Sequence, residues 1–240
     1  MSGIYNTFFY KPLYNTLIAI FETFPWADAG VAVIMLTIIV RFILYPLTKK
    51  AIKTQVYMQR INPELLKIKE KYKNNKEEEA RQTLALYREK GVNPFSGIFV
   101  LLLQLPIIWA LYQIFLHAGF PSVNTNILYS FVRVPENINI LFLGVMDITG
   151  QSFILALLAA ISSYFQIKVS VGSQPKPTGT TFADNLTRSM QTQLKYFLPV
   201  IVFFISWKIS GVIALYWFTT NIFTIIQEIV VRKKLETSLA

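Results

Sequence analysis

Five apolar stretches, each long enough or nearly long enough to cross a bilayer as a helix, constrain this chain more than any other feature. They fall at 28–47, 95–117, 152–169, 196–209 and 212–231, with the apolar run of the first beginning at Gly30. A hydrocarbon core of about 30 Å needs about 20 helical residues, and in lipid only helices and closed barrels satisfy their own backbones. The last two stretches are together too long for one span, and Ser210 and Gly211 stand where a turn would fall. They read as a hairpin of two spans. The fold class is therefore all-α: a polytopic membrane protein with five transmembrane helices. A hydrophobic share of 53%, gathered into runs, points away from an ordinary cytosolic domain.

Basic residues orient the spans. Of 23 Lys and Arg, 12 lie between residues 48 and 94. Arg232, Lys233 and Lys234 mark the tail at 232–240, and Lys176 and Arg188 the loop at 170–195. The N-terminal segment has only Lys11, and the loop at 118–151 only Arg133. Positive charge stays inside, so the N-terminus is expected outside and the C-terminus in the cytoplasm, which requires an odd number of spans. Lys208 is read as snorkelling to the outer surface.

Residues 48–94 read as a cytosolic charged helical hairpin. Asn62-Pro63-Glu64 suggests an N-cap, a first-turn proline and a first-turn acid. Lys73-Asn74-Asn75 makes a polar turn, a second helix follows over 76–90, and Gly91 fits its C′ position. Leu65, Leu66, Ile68, Leu84 and Tyr87 form the expected seam. Residues 1–27, rich in aromatics and without a basic n-region or small-residue cleavage site, read as an interfacial amphipathic helix outside, with a short extra span as the alternative. The stretch 171–181 is dense in Gly, Pro, Ser and Thr and is expected to be a flexible loop. The apolar but short 137–148, carrying Asp147, is placed at the outer interface.

Arg41 is the outlier. It lies inside the first span, roughly 9 Å from its inner end at 1.5 Å per residue. A charge at that depth costs about 2.5–3.5 kcal/mol on insertion scales. Three fates are open: an ion pair with Glu228, the one acid near a span interior; snorkelling to the headgroups; or a water-filled cavity reached from the cytoplasm. Thr37, one turn before Arg41, together with Gln104, Gln166, Thr219, Thr220 and Asn221, gives four spans polar side chains that prefer a bundle interior. Each alone is accounted for by helix packing.

No enzyme is indicated. The chain has no cysteine and one histidine, His117. It lacks an embedded acid pair, a Ser/Lys or Ser/His pair suited to proteolysis, a metal cluster and a P-loop pattern. No cofactor is expected. A small solute transporter or channel is the competing class, although no internal repeat accompanies it.

The segments VRFILYPLTKK, NPFSGIFVLLLQLPIIWALYQIF and FLPVIVFFISWKISGVIALYWFTTNIFTIIQE resemble the YidC/Oxa/Alb membrane protein insertases, and the likeness covers about 31–234. The resemblance implies a chaperone-like insertase for nascent membrane proteins that works with or without the Sec translocon, through a hydrophilic groove open to cytoplasm and lipid. It implies Arg41 as the groove arginine, with Thr37, Gln104, Gln166, Trp207, Tyr216 and Trp217 at groove or substrate-contact positions. Nucleotide is not expected. Relative to that family the sequence lacks a large outer domain and a lipobox cysteine, and its tail after Val231 is short. Any ribosome contact would then fall to the basic hairpin and the Arg188 loop.

Overall fold

The computed structural model describes residues 3–93, 96–116, 121–171 and 182–237. Helix α1 (Gly3–Tyr5) passes through a π-helical stretch (Asn6–Tyr10) into α2 (Lys11–Thr23). Then follow α3 (Ala29–Arg60), α4 (Asn62–Lys71), α5 (Lys76–Glu89), α6 (Ser96–Leu116), α7 (Phe153–Val171), α8 (Phe182–Ile209) and α9 (Gly211–Thr237). A small antiparallel pair, β1 (Leu141–Phe142) and β2 (Met146–Asp147), lies between α6 and α7. This is an all-α membrane protein. Ala29–Arg60, Phe153–Ser170 and Gly211–Thr237 are long and apolar enough to cross a bilayer, and Leu102–Leu116 forms a shorter apolar helix. The turn expected at Ser210 and Gly211 separates α8 from α9. His117 and the polar stretch 172–181 lie outside the described residues.

Two helices run past the spans drawn from hydropathy. α3 continues to Arg60 without a break at Leu47, and α8 begins at Phe182 rather than 196. Hydropathy reports where a helix is apolar, not where its hydrogen bonds stop. Asp28 caps the start of α3 by accepting from the Val31 N–H at 2.9 Å.

The hairpin of α4 and α5 forms as expected, with two corrections. Asn62 is the first helical residue of α4, not its N-cap. Ile61 holds that place, its N–H bonded to Tyr57 O at 3.1 Å, so α3 hands the chain to α4 almost without interruption. The seam uses Leu86 in place of Leu84, which is 54% exposed, and leaves out Leu66. Ile61, Leu65, Leu86 and Val92 are its buried members, because Gly91, at φ +63°, turns Val92 back under Leu86. Asn75 caps α5 by accepting from Glu78 N–H at 3.1 Å. Arg81 donates twice to Glu78, and that hydrogen bonding holds the Glu78 carboxyl below its usual range. Leu86→Ala is expected to weaken the hairpin by about 2–4 kcal/mol, as for other buried leucines. Leu84→Ala should change it little. Hydrogen exchange over 62–90 separates the two.

The main core lies toward the end of the bundle remote from the α4–α5 hairpin. It joins Leu13, Tyr14, Leu17, Ile18 and Phe21 of α2 to α3 as far as Leu36, to α6 from Ile107 to Phe115, to Leu155 and Ala159 of α7, to Val202 of α8 and to Val212–Tyr216 of α9. The N-terminal segment is thus more than a surface float, since one face of α2 is buried in this core. Asn15 fixes it further, donating to Ile127 O at 3.0 Å and accepting from Tyr129 N–H at 2.6 Å. The segment 137–150 covers the same end. Ala29 N–H donates to Asn139 O, Ser210 Oγ to Ile148 O and Gly211 N–H to Gly150 O, all within 2.9 Å. At the opposite end, which bears the α4–α5 hairpin, the apolar packing of α3 on α9 among the described residues is the small cluster Ile52, Val56, Val231 and Leu235, and polar bonds such as Thr48 with Gln227 add to it.

Candidate functional site

This unequal packing leaves a cavity of about 450 Å³ in the hairpin half of the bundle. Arg41, Thr48 and Gln55 line it from α3, Ser96 from α6, Gln166 and Ser170 from α7, and Thr224, Gln227 and Glu228 from α9. Residues 41, 48 and 55 are spaced by seven and so share one face of α3. Fourteen residues at 1.5 Å make that polar stripe about 21 Å long.

Arg41 closes the inner end of the cavity and is 6% exposed. Its Nη2 donates to Gln104 Oε1 at 3.2 Å. Gln104 Nε2 in turn donates to the hydroxyl of Tyr216, which is 1% exposed. A glutamine amide thus links the guanidinium to a phenol across α3, α6 and α9. These partners are dipoles, not charges, and among the described residues Arg41 has no ion pair. The Arg41–Glu228 pair considered above does not form. Glu228 is bound instead by Arg232, whose Nη2 lies 2.7 Å from Oε1, and by the Ser170 hydroxyl. The reason is local: Arg232 sits one helical turn from Glu228, whereas Arg41 lies at the far end of the cavity.

The other sequence-derived residues divide. Gln104 meets Arg41 directly and Tyr216 through Gln104, and Gln166, donating to Ser170 Oγ at 3.0 Å, lines the cavity. Thr37 is 1% exposed, donates to Val33 O at 2.6 Å and sits beyond Arg41 in the packed half. Asn221 bridges α9 to α7, donating to Ser162 and Ser163 hydroxyls at 3.0 Å each. Trp217 packs against the main core. Trp207 stacks edge-on against Phe153, its ring 5.3 Å from Lys208 Nζ, near the end of the bundle remote from the hairpin. Thr48, Gln55, Ser170 and Gln227 were missed. The seven-residue spacing after Arg41 would have found the first two, but the basic residues around them had assigned them to a solvated hairpin.

The chain resembles known proteins over nearly its whole length. The family model described as 60Kd inner membrane protein matches residues 20–238. A protein of Wolinella succinogenes named membrane protein insertase YidC is 32% identical over 230 residues, covering 96% of this chain and 38% of the relative. Proteins of the same name from Clostridium tetani and Oceanobacillus iheyensis are 30% and 29% identical, and in each the match covers 84% of the relative. So the chain spans well under half of some relatives and most of others. With a family model matched from residue 20 to 238, the chain belongs to the 60Kd inner membrane protein family, that of the YidC insertases.

Proposed function

We propose that this chain is a membrane protein insertase that receives the polar segments of newly made membrane proteins in the Arg41 cavity and releases their apolar segments sideways into lipid. The observation that carries this reading is a buried guanidinium with no acid partner among the described residues, held at the end of a polar cavity. The likeness to proteins named as insertases supports it. The hairpin end is read as cytoplasmic, following the basic residues at 48–94, and the N-terminus as outside. The same reading takes α3, α6, α7, α8 and α9 as five spans of a multi-pass protein of the bacterial cell membrane.

A polar tail faces a hydrocarbon barrier of about 30 Å. A hydrated recess reaching Arg41 removes much of that distance, and apolar segments then gain about 25 cal/mol per Å² on entering lipid. No covalent step is needed, so the function is read as non-enzymatic and free of nucleotide. The ribosome, by way of the basic hairpin, and the Sec translocon are the proposed protein partners. Among the described residues, the half beyond Arg41 is filled by the buried apolar side chains of the main core, which argues against a solute channel.

The test is contact with substrate. A photo-crosslinking residue at Thr224, on the cavity wall, is expected to capture ribosome-bound nascent membrane proteins. The same residue at Phe131, exposed at the opposite end, should not. Absence of adducts at Thr224, or equal adducts at Phe131, would refute the reading.

A further inference from the structure

Glu228 has no part in that scheme, yet it is a carboxylate 1% exposed on the wall of the same cavity. Its two oxygens are both engaged. Oε1 accepts from Arg232 Nε at 3.0 Å and Nη2 at 2.7 Å, and Oε2 accepts from Ser170 Oγ on α7. Arg232 Nη1 then reaches α3, donating to Gln59 Oε1 at 3.2 Å. Alongside, Gln55 Nε2 of α3 donates to Ser170 O at 3.0 Å. α3 and α7 both pack along α9 but scarcely touch one another among the described residues. The space between them is the cavity, and these polar bonds cross it at the hairpin end. A segment entering from that end meets this crossing about 21 Å before Arg41, counting 1.5 Å for each residue between 41 and 55.

We propose that Glu228 and Arg232 form a polar latch across the mouth of the cavity, and that Glu228 is a positioning residue: by fixing the separation of α3 and α7 it sets how bulky a polar segment can pass to Arg41. The inference rests on the insertase reading for its use but not for its geometry. Removing one member of a buried ion pair leaves the other charge without compensation, so the pair responds sharply to single substitutions.

The experiment uses the full chain, which contains no cysteine, carrying Thr224→Cys and reconstituted in liposomes. Labelling is followed with a small water-soluble maleimide and with a bulky polymer-coupled one. Glu228→Gln is expected to raise the bulky rate about fivefold or more while the small reagent gains less than about twofold, as a local opening at the mouth requires. Arg232→Gln should match it, and the exchange of Glu228→Arg with Arg232→Glu should return the rates toward the parent values. Ser170→Ala, which removes one bond without unpairing a charge, should shift the ratio the same way by a smaller factor. Unchanged bulky labelling in Glu228→Gln and Ser170→Ala overturns the latch, and so does an equal gain for both reagents, the mark of general loosening. Insertion is then measured for substrates with short and long polar tails. Changed labelling with no change in the preference for tail length overturns the positioning role, whereas failure of the parent chain to insert any substrate overturns the insertase reading and leaves the latch standing.

Discussion

Arg41→Ala is expected to reduce insertion of substrates with acidic translocated tails about tenfold or more, and of neutral-tailed substrates by less than about twofold, in liposomes containing the purified chain. The magnitude follows from the site. A carboxylate about 4 Å from the guanidinium gains about 1 kcal/mol in bulk water and about 4 kcal/mol at the effective dielectric of a partly enclosed site. A hydrated cavity walled by helices lies between those limits, and about 1.4 kcal/mol is a factor of ten. The substitution should not cost stability. Gln104 and Tyr216 offer the guanidinium only dipoles, and a charge at that depth opposes insertion of the helix by about 2.5–3.5 kcal/mol. The alanine variant is thus expected to melt at the same temperature as the parent or above it while losing function, which is the mark of a residue kept for its task rather than for the fold. Arg41→Lys should retain most of the activity, because it keeps the charge although it loses the planar fork that reaches Gln104. Equal insertion of acidic and neutral tails by Arg41→Ala would remove Arg41 from the mechanism.

What the sequence made legible was set by local rules. Apolar runs located the hydrophobic parts of α3, α6, α7 and α9. The Ser210 and Gly211 break separated the last two helices, and turn chemistry drew the α4–α5 hairpin to within a residue or two at either end. Arg41 was conspicuous because a charge in an apolar run has no local reason to be there. Its surroundings were not legible, because they depend on pairings far apart in sequence. Gln104 and Tyr216 were on the page as polar or aromatic span residues, but nothing local says that an amide 63 positions away reaches the guanidinium. Glu228 was taken as a possible partner for Arg41 because both are charges in spans. Arg232, four residues along the same helix, held it instead. Leu84 and Leu86 could not be told apart by hydrophobicity alone. The turn at Gly91 decides between them, by bringing Val92 under Leu86.

Gly30→Leu is expected to produce the largest loss of stability among single substitutions far from the cavity, and it tests why one half of the bundle is closed. A Cβ at Gly30 would collide with Phe142 Cδ2 and lie 2.5 Å from its Cγ, closer than any real contact. The ring cannot simply rotate clear, since Cγ itself is in the way. Relief therefore requires β1 to lift from the start of α3. Two bonds hold it there: Ala29 N–H to Asn139 O and Leu143 N–H to Asp28 Oδ2, each 2.8 Å. Overpacking costs about 1–3 kcal/mol, and each lost hydrogen bond about 0.5–1.5 kcal/mol. At about 2–4 °C per kcal/mol for a chain of this size, the thermal midpoint should fall by several degrees. The functional consequence is separate. Thr37 is buried just beyond Arg41 in the closed half, and a cysteine there should be inert to a maleimide added from the outside of the parent chain yet react in Gly30→Leu. Phe142→Ala, combined with Gly30→Leu, should recover part of the midpoint by vacating the space the leucine needs. A Gly30→Leu chain that melts with the parent and stays closed from outside would mean that the 137–150 segment merely rests on the bundle, and that the core formed by α2, α3, α6 and α9 closes that half without it.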